Sequence, residues 1–223
     1  KAATDKQNIF ATSDKTAKDA VTKATTAKTS ATKAATALNA ATKVSTDAAS
    51  ATTTAKAATV KDQAAFTNAD KALTTAKAVT ANALKAFNTA DAAAKVAEAN
   101  SKKIAGDANK KPAEKQAAAK AATDKRNLAN TAKTKLTQEQ AKEKTAQTAV
   151  TAAAKGVVDA EAAQKVVETA LVTAKTHVAN AQKAYTAAEK ASVDSAKAAV
   201  AAKPVADIAK ATQATAEKLA NDK

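Results

Sequence analysis

The chain has 223 residues and a formal net charge of +15 at pH 7; 45% of its residues are hydrophobic and only 2% are aromatic. Two Gly, two Pro and so few large side chains fill neither a globular core nor a turn-rich fold, so the composition indicates a few long helices. The absence of Cys excludes disulfides, a thiolate nucleophile and a Cys-bound zinc site; it suits an extracellular protein without disulfides and is also compatible with the cytoplasm.

Helix-breaking and capping residues divide the chain into a few predicted segments. Thr12-Ser13-Asp14 offers an N-cap, the stretch from Ser101 concentrates Gly106, Asn109 and Pro112, and Pro204 is suited to begin a short helix. The prediction, as one structural domain, is an N-terminal segment 1–12, a long helix 13–100, a reversal loop 101–112, a second long helix 113–202 and a short C-terminal helix 203–223. Gly156 is expected to weaken the second helix without ending it.

Small and apolar residues recur every seven positions in the first helix, in three adjoining columns. The first column is Ala20, Ala27, Ala34, Ala41, Ala48, Ala55, Ala69, Ala76, Ala83, Ala90 and Ala97. The second is Phe10, Ala17, Ala24, Ala31, Leu38, Ser45, Thr52, Thr59, Phe66, Leu73, Thr80, Phe87 and Ala94. The third is Ala37, Val44, Ala51, Ala58, Ala65, Ala72, Val79, Ala86 and Ala93.

The second helix repeats this design in two columns. They are Val150, Val157, Gln164, Leu171, Val178 and Tyr185, followed three residues on by Ala153, Ala160, Val167, Ala174, Ala181 and Ala188. A strict seven-residue period predicts a left-handed supercoil, because it departs from the 3.6 residues per turn of a straight helix. The predicted fold is therefore all-α: an elongated antiparallel hairpin or bundle of very long, alanine-rich heptad helices.

Further alanine columns lie beyond these stripes, for example Ala57, Ala64, Ala78 and Ala92. Alanine buries little area, so a hairpin of two helices gains little stability per heptad. We therefore expect a third helix or a second copy of the chain to cover these columns, which predicts self-association as a dimer or a larger bundle.

Two internal similarities suggest that the helices grew by copying whole heptads. Lys1-Ala-Ala-Thr-Asp-Lys6 recurs as Lys120-Ala-Ala-Thr-Asp-Lys125, and Ile9 then corresponds to Leu128. The segment from Thr75 to Phe87 resembles the segment from Thr173 to Tyr185. Both offsets are multiples of seven residues, so copying preserves the packing stripe.

The sequence offers few groups for catalysis or metal binding. His177 is the only histidine and lies in the column of Ala163, Ala170 and Ala184, which favours a structural or surface role. Glu139 and Glu143 lie one turn apart among lysines, which is typical of a solvated network of ion pairs. We predict no enzyme: no catalytic, cofactor-binding or metal-ligating residues, and no cofactor.

The positive charge is carried almost wholly by lysine, since Arg126 is the only arginine. Lysine attracts polyanions as a point charge, whereas recognition of nucleic acid with defined geometry usually recruits arginine. With no aromatic platform for stacking on bases, we expect contact with polyanions or cell-wall polymers through lysine and no specific nucleic-acid binding. No apolar run of about twenty residues predicts a membrane span.

Threonine and alanine recurring along a helix resemble the alanine-rich helical antifreeze proteins of fish. That resemblance implies ice binding as an alternative function. Those proteins repeat at eleven residues, a spacing that Thr25/Thr36 and Thr42/Thr53 satisfy locally, while Thr22, Thr29 and Thr36 follow seven.

The residues from Val178 to Val200, and those from Phe66 to Val96, resemble the alanine-rich helical stalks of Gram-positive cell-surface proteins. The resemblance implies a secreted spacer at the cell surface that projects an interaction domain. Coiled-coil silks of insects share the alanine-rich seam, so a self-assembling fibre is the neighbouring interpretation. We therefore predict an extracellular, non-enzymatic structural protein, with ice binding and non-specific polyanion binding as alternatives.

Overall fold

The computed structural model describes the backbone of residues 2–221, and over that range the chain forms two α-helices and no strand. Helix α1 spans Ala2–Gly106 and helix α2 spans Pro112–Asn221. The chain is thus an all-α helical hairpin, which confirms the all-α hairpin of the predicted fold class; the coiled coil remains a prediction.

The contacts within the hairpin divide it into two units, each made of one stretch of α1 and one stretch of α2. Unit 1 combines α1 up to Thr53 with α2 from Val166 onward, and unit 2 is Thr54–Lys165. The single structural domain remains a prediction.

The connection between the helices is shorter than the predicted loop 101–112 and occupies residues 107–111. No breaker precedes Gly106, so α1 continues to that residue. The backbone N–H of Asn109 donates to Oδ1 of Asp107 at 2.9 Å, and the backbone N–H of Lys111 donates to Oε2 of Glu114 at 2.9 Å. Lys111 with Glu114 three residues later forms the carboxylate half of a capping box, and Pro112 occupies the first helical position, where its missing N–H costs nothing.

The predicted N-terminal boundary at residue 13 is wrong, because α1 already runs through it from Ala2. The Thr12 hydroxyl donates to the Asn8 carbonyl at 2.9 Å, and the Thr12 carbonyl accepts from Thr16, so this residue lies inside a helix instead of capping one. The segment before it contains no Gly or Pro to stop the helix, and Phe10 is half-buried there.

The prediction of a separate C-terminal helix 203–223 is also wrong, since α2 continues through Pro204 to Asn221. Proline inside a helix leaves the carbonyl four residues earlier without its donor. Here that residue is Val200, which is 73% exposed, so water can satisfy its carbonyl. Gly156 lies inside α2, as predicted, and does not end it.

The first two columns of α1 and both columns of α2 are buried or half-buried at every position, as the periodicity predicted. We label the heptad so that Phe10 and Leu136 stand at position a and Ala20 and Glu139 at position d. Together, positions a and d of both helices are called the seam. The third column, from Ala37 to Ala93, is exposed throughout; it occupies position g and is not covered within the hairpin.

Candidate interaction surface

The seam encloses few side chains completely. Over residues 4–219 the buried apolar residues are Leu73, Ala83, Ala94, Ala122, Ala129, Leu136 and Ala174, and the buried polar residue is Thr52. Five of these apolar residues are alanines, whose short side chains let two helix backbones approach closely. The hairpin is therefore held by many small contacts and offers no deep interior for a ligand.

Two threonines in the seam differ in how their hydroxyls are satisfied. The Thr52 hydroxyl donates to the Ala48 carbonyl at 2.9 Å and lies 3.5 Å from the carbonyl of Val167 in the other helix. The Thr80 hydroxyl is buried and has no hydrogen-bond partner. A buried hydroxyl without a partner costs about 1–3 kcal/mol, so Thr80 is a weak point of the seam in unit 2.

One cluster of charges joins the two helices of unit 2. Arg126 in α2 donates from Nε and Nη2 to the two carboxylate oxygens of Glu98 at 2.6 and 2.8 Å, and from Nη1 to Asp91 at 2.8 Å. Lys95 lies 2.8 Å from the other oxygen of Asp91. All three joined residues stand at position e, which shows that the e positions of the two helices share one side of the seam.

These contacts stabilise the ionised carboxylates. The hydrogen bonds from Arg126 lower the pKa of Glu98, and those from Lys95 and Arg126 lower the pKa of Asp91. The guanidinium of Arg126 is held in its charged form by the same two carboxylates, which raise its pKa. The cluster is partly exposed and uses all three nitrogens of the arginine, so it joins the two helices of unit 2 at this point.

A groove lies on the opposite, g side of unit 2. It has a volume of about 550 Å³; Ala86, Ala90, Ala93 and Leu128 form part of its lining, together with Lys85 and Lys125. Leu128 is 58% exposed. The groove is open to solvent, and its lining also includes Asn82 and Thr89.

Unit 1 carries one groove on each side of its seam, and the two differ in charge. The groove on the g side, about 240 Å³, is lined by Ile9, Val205, Ile208 and their neighbours. The groove on the e side, about 640 Å³, is lined by Asp14, Lys18, Lys203 and Asp207 among others. The g-side groove also includes Lys6 and so carries one positive charge, whereas the e-side groove carries both signs of charge.

The exposed threonines use their hydroxyls within the helix. In both helices Thr Oγ1 donates to the carbonyl four residues earlier at 2.8–3.1 Å, as in Thr22, Thr29, Thr36 and Thr173. The outer surface of such a residue is therefore a methyl group and an oxygen that still accepts hydrogen bonds.

The residues singled out for chemistry do not come together in one site. His177 is exposed at position g of unit 1. Glu139 pairs with Lys142 at 2.9 Å, but its side chain is only 13% exposed, so the predicted solvated network is wrong for this residue: position d places it in the seam. Sequence reasoning missed the Arg126 cluster, because the residues that face each other across a hairpin depend on the length of the turn.

Within the described residues, no group of three or more His, Cys, Asp or Glu side chains is arranged to hold a metal ion. The same part of the chain contains no helix long and apolar enough to cross a membrane. The sequence matches no protein-family model, and neither the curated proteins nor the solved structures show a significant match to it.

Proposed function

We propose that this protein is a non-enzymatic, extracellular structural element: a coiled-coil spacer, or a unit of a self-assembling fibre, with a lysine-rich surface. The observation that carries the proposal is the seven-residue recurrence of less exposed residues in both helices of both units. Kept over many heptads, that period favours a left-handed supercoil of closely packed helices.

The composition of the seam supports a mechanical role over a chemical one. Alanine at most buried positions brings backbones together without leaving a cavity for a ligand. Each heptad contributes little free energy, so stability depends on how many heptads are joined. A protein built in this way is suited to hold two attachment points apart or to join other copies along its side.

Small-angle X-ray scattering tests the proposed spacer. A compact protein of 223 residues has a radius of gyration of about 17 Å. The spacer predicts a radius at least twice that value and a cross-section of two or four helices. A radius near the compact value contradicts it.

The extracellular location is supported by the resemblance to Gram-positive stalks, and the lack of Cys is compatible with it. An antibody against this chain, applied to intact cells of the source organism, tests it. Labelling of unpermeabilised cells or recovery from the medium is expected, and recovery only from the cell interior contradicts it.

Binding of polyanions is a second element of the proposal, supported by the formal charge of +15 and by the exposure of lysines such as Lys43, Lys120 and Lys190. Several of these lysines pair with a carboxylate on the same helix, so binding is expected to be weak and to have no defined geometry. Titration against heparin and a cell-wall polyphosphate should give an affinity that falls steeply with salt.

Ice binding is the alternative function that one observation favours. Position g of α1 carries no lysine from Ala37 to Ala93, and every residue of that column is exposed. Such a surface of small side chains binds water weakly. Micromolar protein should then shape ice crystals or stall their growth, and normal growth removes this alternative.

A further inference from the structure

Unit 1 is the less well covered part of the hairpin. Over residues 4–53 and 166–219, Thr52 and Ala174 are the only buried residues, whereas unit 2 buries six. The rest of the seam in unit 1, such as Ala17, Ala24 and Ala31, stays partly open to solvent. The unit therefore retains apolar surface that two helices do not enclose.

The two sides of this seam differ strongly in charge. The e face of unit 1 consists of fifteen residues: Gln7, Asp14, Val21, Lys28, Ala35, Thr42, Ala49, Glu168, Lys175, Gln182, Glu189, Ala196, Lys203, Lys210 and Glu217. The g face also has fifteen: Ile9, Thr16, Lys23, Ser30, Ala37, Val44, Ala51, Ala170, His177, Ala184, Ala191, Ala198, Val205, Thr212 and Leu219. Eight residues of the e face are Asp, Glu or Lys, whereas Lys23 is the one such residue of the g face.

The g face also has large side chains that project from it. Ile9, Val44 and Val205 project from it and are 61%, 58% and 59% exposed. Ala37 and Ala51 flank Val44 on α1, and Ala184, Ala191 and Ala198 precede Val205 on α2, so these parts of the face place small side chains one heptad from a large aliphatic one. A surface that carries both features complements a second copy of itself when the two are related by a two-fold axis.

Charge and area favour a second copy over an unrelated partner. Copies of a chain with a net charge of +15 repel each other, and of the two sides of the seam the g face is the one on which they can meet with a single lysine, Lys23, on each contacting face. The chain exposes 15478 Å², whereas a compact monomer of 22.3 kDa exposes about 9,400 Å². A stable dimer buries about 1,200–2,000 Å² in total, so ample surface remains for one.

A second exposed apolar group consists of Val193, Ala196, Val200 and Ala201, but it lies on α2 alone and surrounds Lys197. Docking there would place the lysines of two copies together. The g face is formed by both helices and carries one lysine, Lys23, among its fifteen residues.

We infer that the g face of unit 1 is the surface on which a second copy of this chain docks, so that two hairpins form a four-helix arrangement around it. This inference rests on the self-association in the proposed function and identifies the surface that performs it. The aliphatic residues of one copy would fill the alanine hollows of the other, and the charged e faces would stay in water.

Sedimentation of the full chain and two lysine variants tests the inference. Ala37→Lys adds one charge to the g face, and Ala49→Lys adds the same charge to the e face of the same helix; both alanines are exposed. We expect the wild type and Ala49→Lys to dimerise alike, and Ala37→Lys to have a dissociation constant raised about tenfold or more, since a two-fold contact receives the charge twice. Far-UV circular dichroism checks that all three fold equally.

A cysteine pair gives a second measurement that does not depend on weakening the contact. The chain has no Cys, so a single one reports one position. Ala184→Cys on the g face should react with a maleimide more slowly at protein concentrations at which the dimer forms than at low concentration, whereas Gln182→Cys, two residues away on the e face, should react equally fast at both. A wild type that stays monomeric at high concentration overturns self-association together with this inference. A dimer that responds equally to both members of each pair overturns the g face and leaves self-association standing.

Discussion

Ala94 tests whether the alanines of the seam are there because the helices approach too closely for larger side chains. It is 0% exposed in unit 2, while its neighbour Ala93, at position g, is exposed. Ala94→Leu adds three carbons where no open volume exists. Overpacking of this kind costs about 1–3 kcal/mol of unfolding free energy. Moving the helices apart does not avoid the cost, because it also separates the neighbouring alanine layers at Ala90 and Ala97.

Ala93→Leu is the matched control. It makes the same chemical change in the same turn, but at an exposed position in the open groove of unit 2, so it does not overpack the seam: helix propensity changes by a few tenths of a kcal/mol at most, and a contact with Leu128 can only add stability. Urea unfolding followed by circular dichroism, at one protein concentration, measures both variants. If Ala94→Leu is as stable as Ala93→Leu or more stable, alanine in the seam does not reflect close approach, and the packing argument fails.

Three further predictions concern hydroxyls, charges and salt. Thr80→Val should raise the unfolding free energy by about 1 kcal/mol, because it removes a buried hydroxyl that has no hydrogen-bond partner. Thr52→Val should lower the unfolding free energy, because the Thr52 hydroxyl is hydrogen-bonded. Urea unfolding measures both variants. The pKa values of Asp91 and Glu98 are lowered in the folded chain, so the two ionised carboxylates stabilise it above the ordinary carboxylate pKa of about 4. This stabilisation is lost as the pH falls through the lowered pKa values. On acidification to about pH 3, the melting temperature of Arg126→Lys should therefore fall less than that of the wild type. Added salt should strengthen the dimer, since it screens repulsion between cationic copies, and should weaken heparin binding. Sedimentation measures the first effect and titration with heparin the second. If salt shifts both affinities in the same direction, dimerisation and heparin binding do not use separate surfaces.

The sequence predicts the seam well, because its seven-residue period is a local property of each helix. Every position of the predicted inner columns, from Phe10 to Ala94 and from Val150 to Ala188, is buried or half-buried. The helix boundaries were harder to predict, because caps and breakers act only in competition with their surroundings. Thr12-Ser13-Asp14 yields to a continuing helix, and Pro204 is tolerated where Val200 faces water.

The contacts between the helices could not be predicted from either helix alone. Arg126 meets Glu98 and Asp91 because a turn of five residues sets one register between α1 and α2, and a turn of another length would pair other residues. The periodicity likewise predicts a third apolar column without indicating whether the hairpin covers it. That depends on the angular position of the column: position g lies beside the seam and outside it.

The internal repeat explains why both units carry an exposed aliphatic residue in a groove on this side. The repeated segment places Ile9 and Leu128 at the same position g, because their separation is a whole number of heptads. Ile9 lines the g-side groove of unit 1 and Leu128 that of unit 2, and the two are 61% and 58% exposed. Copying whole heptads therefore preserves the outward-facing residues as well as the packed ones. A chain extended in this way repeats its exposed aliphatic residues together with its seam, which is the property that the proposed lateral assembly requires.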